Sequence, residues 1–218
     1  MILTIDIFNS FCEYAKSNVV GTNPMAEFNN KLNESQKEVM DLVAPGYDKT
    51  ERVRTLLQPF VITASGTASG TFSKPSNMYR VLGLSGASGG KNFPIFHAKE
   101  NELIEYSFIP QRKADITRGI VYYKQGSGSI TLIPNSSISY TMFYLKNPTN
   151  ANLEFTYTAL PSSEMALTPT GIVNLEWNAD AFNIILYKLL QKYGLVTRDE
   201  FMTQVANYGI DSDVLNID

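Results

Sequence analysis

The stretch Gly119–Leu145 reads GIVYYKQGSGSITLIPNSSISYTMFYL, and it decides the fold. It contains three runs of β-branched and aromatic residues, which are typical of strands. Gly126-Ser127-Gly128 follows the first run and predicts a hairpin turn, and Pro134-Asn135 marks a second break. Strands joined by short turns pair antiparallel, so this stretch predicts the middle of an antiparallel sheet. The three predicted strands are 119–123, 129–133 and 139–145.

The last of these strands is apolar on both faces. Tyr140, Met142 and Tyr144 share one face, while Phe143 and Leu145 lie on the other. Such a strand is either central in a covered sheet or buried in an interface between molecules. Under the second alternative, Tyr140, Met142 and Tyr144 are candidate assembly-interface residues.

Helical patterns flank the β-rich part. Apolar residues at spacings of three and four, from Ile5 to Ala15, predict a first helix, which is expected to end at Gly21. A second helix follows the cap Thr22-Asn23-Pro24 and ends at Pro45-Gly46. Near the other end, Asn178 is expected to cap a long helix that stops at Gly194, and Thr197 to cap a last helix. On the second helix, the residues predicted to face solvent are Asn29, Asn30, Asn33, Glu34 and Lys37.

Several shorter segments complete the pattern. Small residues over 65–70 predict a turn, and the Gly/Ser-rich stretch Ser85–Asn92 predicts a mobile loop, in which Ser85 and Gly86 are further candidate interface residues. Lys99–Phe108 fits a helix or a strand, and 153–157 fits a further strand. From Gly209 onward an extended arm is expected, with Asp211 and Asp213 as candidate contacts.

These elements predict an α+β fold with an N-terminal helix hairpin, a central antiparallel β-rich region, and a C-terminal helix pair with an extended tail. The corresponding segments are 1–58, 59–160 and 161–218, expected to form one compact domain.

Composition argues against catalysis, metal binding and cofactor binding. The chain has 218 residues, one His, one Cys and a formal net charge of −3. His97 and Cys12 supply too few ligands for a typical zinc site, and Glu100, Glu102 and Glu105 match no calcium loop and are best interpreted as a solvated face. The remaining features are interpreted as structural: the stretch Gly83–Lys91 lacks a phosphate-loop pattern, and Trp177 is expected to pack beneath a helix start. No enzyme activity is predicted.

Charge and hydropathy also limit the partners. No Lys/Arg run provides the positive face that tight nucleic-acid binding needs. A weakly acidic surface would instead let DNA pass without adhering. No apolar run is long enough to span a membrane, so we expect no membrane partner and a soluble protein folded in the cytoplasm of its host.

Short motifs in a fixed order add a resemblance. In chain order they are Gly21-Thr22-Asn23-Pro24, Leu57-Gln58-Pro59-Phe60, Pro75–Tyr79 with Leu82, Ile130–Pro134, Tyr140–Pro148 and Leu175-Glu176-Trp177 with the helix 181–187. Taken in this order, they resemble the head-to-tail adaptor or ring structural proteins of short-tailed phages, especially those of the crAss-like phages of Bacteroidetes.

The resemblance implies a virion protein, made in the cytoplasm of a bacterial host. It would form a dodecameric-type ring with copies of itself in the neck or tail barrel, below the portal. Its partners would be the portal or adjacent ring and tail proteins, and genomic DNA would pass through the lumen during ejection. The family implies no catalytic residues and no cofactor.

Two other functions fit the sequence less well. A carbohydrate- or surface-binding β-rich domain would use exposed tyrosines to bind sugar. A hydrolase would use carboxylates of the Glu100–Glu105 region. The first predicts a monomer or small oligomer with a measurable glycan affinity. The second predicts that Glu→Gln changes in that region abolish turnover and leave assembly intact. The ring protein predicts a large assembly without activity.

Overall fold

The computed structural model of the chain describes residues 1–15, 25–159 and 165–207. Within these ranges the helices are α1 (Thr4–Ala15), α2 (Met25–Val43), α3 (Glu51–Leu57), α4 (Glu100–Phe108), α5 (Phe182–Lys192) and α6 (Arg198–Asn207). The strands are β1 (Val61–Ser69), β2 (Thr71–Ser73), β3 (Met78–Ser88), β4 (Lys91–His97), β5 (Val121–Gln125), β6 (Ser129–Ile133), β7 (Ser137–Lys146), β8 (Asn152–Ala159) and β9 (Met165–Val173). The prediction of a mixed helix-and-sheet protein with a large sheet is confirmed.

The chain divides into two units. The helical unit comprises the described residues within 1–59 and 148–218, and the sheet unit comprises 60–147. The sheet unit is thus inserted into the sequence of the helical unit. The sequence predicted three consecutive segments, with 153–157 in the β-rich one, but β8 pairs with β9 and belongs to the helical unit.

In the helical unit, α5 is the central element, because it contacts α1, α2 and α6. Its side chains Ile185 and Leu189 are fully buried, as is Trp177 just before it. Ion pairs join α5 to α2: the Lys188 amino group lies 2.9 Å from Glu38, and Lys192 bonds both Glu34 and Glu38. The interpretation of Trp177 as a packing residue agrees with its complete burial.

Two of the three predicted ends of the C-terminal helices are confirmed, and the third is wrong. Thr197 accepts a hydrogen bond from the Glu200 backbone N–H at 3.3 Å, so the predicted cap of α6 is confirmed. Gly194 has φ +69, the left-handed conformation predicted after α5. The predicted side-chain cap at Asn178 is wrong, because its Nδ2 instead donates to the Thr55 carbonyl at 2.6 Å.

Two asparagines of α2 hold the edge of the β8 segment. Asn29 accepts from the Leu153 N–H at 3.1 Å and donates to the Leu153 carbonyl at 2.9 Å. One helical turn later, Asn33 bonds the N–H and the carbonyl of Ala151 in the same way, at 2.7 and 3.0 Å. Each amide therefore replaces a neighbouring strand. The prediction that Asn29 and Asn33 face solvent is wrong, because this segment needs backbone partners.

The sheet unit is built on one seven-stranded sheet in the order β1-β7-β3-β4-β5-β6-β2. All neighbours are antiparallel except β4 and β5, which are parallel. The first and last strands in this order, β1 and β2, are separated in the chain by Gly70 alone, so the sheet closes at Gly70 through the chain itself, while in the described residues no ladder pairs β1 with β2 and β1 keeps one unpaired edge. Its inward side chains form one core, which includes Leu84, Ile95, Val121, Ile130, Leu132 and Met142.

The parallel pairing of β4 with β5 accounts for the long connection that contains α4. Parallel neighbours need a crossover connection, and the segment between β4 and β5 contains the helix Glu100–Phe108. The undecided stretch Lys99–Phe108 is therefore helical because of the sheet topology.

Two predicted breaks are strands in the structure. The small-residue turn at 65–70 is wrong, because β1 runs to Ser69 and only Gly70 bends, at φ +86. Small residues are needed here for packing: a Cβ on Gly66 would lie 3.0 Å from the Tyr140 hydroxyl. The mobile loop at Ser85–Asn92 is also wrong, because β3 and β4 form a tight hairpin through Gly89-Gly90.

Candidate assembly surfaces

Three of the candidate interface residues face the core of the closed sheet. Met142 and Tyr144 are 1% and 5% exposed, and Tyr140 is partly buried with its ring stacked on Phe72 at 4.0 Å. The Tyr144 hydroxyl donates to Asn77 Oδ1 at 3.2 Å, so its polar end is also satisfied within the unit. Of the two alternatives left open by the sequence, the structure shows the covered sheet. This corrects the assignment of these residues to an assembly surface.

Ser85 and Gly86 lie in β3. Ser85 is half-buried, and its hydroxyl donates to the Thr141 carbonyl at 3.4 Å. Gly86 faces the core, where a Cβ would lie 2.8 Å from the Phe93 ring. Their small size therefore serves strand packing, and the loop surface predicted for them does not exist. Asp211 and Asp213 lie outside the described residues, as does the motif Gly21-Thr22-Asn23-Pro24.

The carboxylates considered for chemistry have structural partners. Glu100 pairs with Lys124 at 2.8 Å, and this hydrogen bond lowers the pKa of Glu100. Glu102 accepts from the Lys99 N–H at 2.7 Å and so satisfies the first turn of α4, while Glu105 is exposed. Within the described residues, no group of three His, Cys, Asp or Glu side chains could hold a metal ion.

His97 lies in the sheet unit and Cys12 in the helical unit. His97 is exposed at the end of β4, with its ring edge-on to Tyr123 at a centroid distance of 5.1 Å. Cys12 is half-buried on α1 and forms no disulfide.

Helix α4 exposes apolar side chains that the sequence interpretation missed. None of its nine residues is buried, and Ile104 and Phe108 are 61% and 80% exposed. Because they are four residues apart, they share one face of the helix. The opposite face carries Tyr106, whose ring lies 5.2 Å from that of Tyr122 on the sheet. One side of α4 is thus attached to the sheet, and the other presents Ile104 and Phe108 to solvent.

Two further phenylalanines lie on the outer face of the closed sheet. Phe143 and Phe96 are 44% and 53% exposed, and each alternates with inward-pointing core residues. Phe143 is paired with Gly83 of β3, and Phe96 is paired with Tyr122 of β5. A Cβ on Gly83 would meet no atom within 4 Å, so the face is open beside Phe143. Because Tyr122, the neighbour of Phe96, also contacts Tyr106 of α4, this face adjoins α4, and the two together expose Ile104, Phe108, Phe96 and Phe143.

No family model matches this chain. No curated protein matches its sequence. Among the helices that the structure describes, none combines the length and the apolar character needed to cross a membrane. The function is therefore proposed from the sequence motifs and from this exposed apolar surface.

One signal could have revealed the α4 surface from the sequence. Once 100–108 is treated as a helix, Ile104 and Phe108 fall on one side and Tyr106 on the other. The signal was missed because the type of this element depends on β4 and β5 being parallel, which the local sequence does not indicate. The pairing of Phe143 with Gly83 depends in the same way on a contact between strands distant in sequence.

Proposed function

We propose that the chain is a structural subunit of an oligomeric ring in the neck or tail barrel of a phage, where it joins the portal to the tail and surrounds the path of the genome. The proposal includes residence in the virion, contacts with the portal or adjacent ring proteins, and no enzyme activity. It also includes the arrangement predicted from the sequence, an N-terminal helix hairpin and a C-terminal helix pair.

The observation that supports this proposal best is the exposed apolar face of α4. An isolated helix of nine residues is marginal in water and is held by packing on its apolar side. In α4 the more exposed side carries Ile104 and Phe108. Exposed aromatic side chains beside polar ones are typical of surfaces that another protein covers.

A ring adds a geometric requirement. A closed ring repeats one head-to-tail contact, so each subunit needs two different surfaces. The apolar surface formed by α4, Phe96 and Phe143 is a candidate for one of them. The formal net charge of −3 would give such a ring a surface past which DNA slides.

Negative-stain electron microscopy of the purified chain, alone and mixed with its portal or neighbouring ring protein, tests the proposal. We expect closed rings in at least one of the two samples. The double variant Ile104→Ser, Phe108→Ser should lose the rings and keep its thermal unfolding temperature, while the control Glu105→Gln should form rings like the wild type. A chain that stays single beside its docking partner, that binds glycans as a monomer, or that turns over a substrate would refute the proposal.

A further inference from the structure

Strand β1 has one free edge. Its nine residues pair with β7 on one side, and it stands at the end of the strand order. In the part of the chain that the structure describes, no backbone hydrogen bond joins β1 to any strand other than β7. Alternate backbone N–H and C=O groups of β1 therefore point away from the sheet.

Two hydrogen bonds show which residues these are. The Asn147 N–H donates to the Asn77 carbonyl at 2.7 Å, and the Ser85 hydroxyl donates to the Thr141 carbonyl at 3.4 Å. Odd-numbered residues of β7 thus direct their backbone groups toward β3, and even-numbered ones toward β1. In the register of β1 with β7, even-numbered residues pair with even-numbered residues. The residues whose backbone groups point to the free edge are Val61, Thr63, Ser65, Thr67 and Ser69.

Each other outer strand edge within the described residues is short, interrupted or covered in part. Strand β2 has three residues, and β9 is interrupted by Pro169 and by an irregular register near Gly171. The outer edge of the β8 segment is bonded by the amides of Asn29 and Asn33. Strand β1 has no proline, no charged residue and an unbroken register with β7. Strand β1 therefore lacks the usual protections against strand addition.

The two faces of β1 indicate what would cover it. Ile62 and Ala64 point toward the core but are only partly buried, whereas Ala68 further along is 4% exposed. An added strand with apolar side chains at its inward positions would complete this burial. On the outer face, β1 exposes the hydroxyls of Thr63, Ser65, Thr67 and Ser69, and the paired residues of β7 carry no charge. A charged side chain placed there would find no partner of opposite charge on either strand.

We infer that the free edge of β1 is a binding site for an extended segment of another polypeptide, which alternates apolar and hydroxyl-bearing side chains and joins the closed sheet as a further strand. Main-chain hydrogen bonds to Thr63, Ser65 and Thr67 supply the affinity, and the partly buried Ile62 and Ala64 select apolar side chains on the inward side. The site does not depend on the proposed ring.

A labelled peptide tests this site directly. The probe is a nine-residue peptide of alternating threonine and valine, with a lysine at each end for solubility, and its binding to the full chain is followed by fluorescence anisotropy. A peptide of the same composition with the valines grouped together is the control for the alternation. We expect saturable binding of the alternating peptide and at least tenfold weaker binding of the grouped one.

Two variants at one position test the role of the edge. Thr67→Pro removes one outward N–H without removing a β1–β7 hydrogen bond, and it should weaken peptide binding at least tenfold. Thr67→Val keeps the N–H and the strand propensity, and it should bind within twofold of the wild type. Circular dichroism and the melting temperature confirm folding. If Thr67→Pro is not folded, hydrogen exchange of the wild type replaces it, with peptide-induced protection expected at Thr63, Ser65 and Thr67.

The inference is overturned if the wild type shows no saturable binding, if both peptides bind equally, if folded Thr67→Pro binds like the wild type, or if those three amides gain no protection. Ring formation is scored separately by electron microscopy, so either result leaves the proposed function to its own test.

Discussion

Asn29 is the residue whose replacement tests the helical unit most sharply. Its side chain is 9% exposed and makes three hydrogen bonds, two to the backbone of Leu153 and one to Asn152 Oδ1 at 3.0 Å. Asn29→Ala leaves the buried N–H and C=O of Leu153 without these partners. At about 1–3 kcal/mol for each of these two unsatisfied groups, we expect a loss of roughly 2–6 kcal/mol in the free energy of unfolding.

The chain offers both a probe and a matched control for this measurement. Its only Trp, Trp177, is fully buried in the helical unit, so fluorescence during urea unfolding reports on that unit. Asn30 is the same residue type on the same helix but is exposed, so Asn30→Ala should change stability by less than about 0.5 kcal/mol. The urea midpoint should fall for Asn29→Ala with an unchanged slope.

Asn29→Asp separates hydrogen bonding from packing. Aspartate keeps the shape and still accepts from the Leu153 N–H, but it sets an oxygen against the Leu153 carbonyl in place of the donor. We expect it to be at least as destabilising as alanine at neutral pH. The reasoning is refuted if Asn29→Ala is no more destabilising than Asn30→Ala, or if Asn29→Asp matches the wild type.

Two further outcomes follow from named contacts. Gly86→Ala should lower the melting temperature of the sheet unit, because its Cβ would lie 2.8 Å from the Phe93 ring. The control Gly83→Ala, in the same strand, meets no atom within 4 Å and should leave the melting temperature nearly unchanged. Equal melting temperatures for the two variants would contradict this prediction. Burial alone would raise the pKa of Glu38, but hydrogen bonds from Lys192 and Lys188 outweigh burial and lower this pKa. The contribution of Glu38 to stability is therefore present above the ordinary glutamate pKa and is lost as pH falls through the lowered value. Burial alone would lower the pKa of Lys192, but its hydrogen bonds to Glu38 and Glu34 outweigh burial and raise this pKa. The contribution of Lys192 to stability is therefore present below the ordinary lysine pKa and is lost as pH rises through the raised value. In Glu38→Gln, the free energy of unfolding followed by Trp fluorescence should depend less on pH in the acid range.

Local patterns predicted the regular elements well. Strand β6 has the predicted bounds, because the alternation of Ile130 and Leu132 with polar residues and the turn before it are both local signals. The cap at Thr197 and the stop at Gly194 are local signals of the same kind. Strand β9 was not predicted, because Pro169 and Gly171 interrupt its pattern and its place depends on pairing with β8.

The failures share a physical cause, since each concerns a partner distant in sequence. Small residues in β1 signal a turn unless it is known that the Tyr140 ring lies over Gly66. Asn29 and Asn33 look like solvated residues unless it is known that the backbone of 151–153 passes beside them. Met142 and Tyr144 fitted either a core or an interface, and closure of the sheet through Gly70 decided between them. The sequence gives the chemical type of each side chain, but it does not indicate which distant residue packs against that side chain.

The insertion of the sheet unit between the two parts of the helical unit fixes the order in which the chain can fold during synthesis. The ribosome completes 60–147 while α2 still lacks α5, its main packing partner, and the segment 149–153 that its amides bind. The closed sheet can therefore form first. The apolar side chains of α2 that pack on α5 stay exposed to solvent until the last third of the chain has been synthesised. A nascent chain stalled in that interval would be a natural client for a chaperone that binds exposed apolar helices.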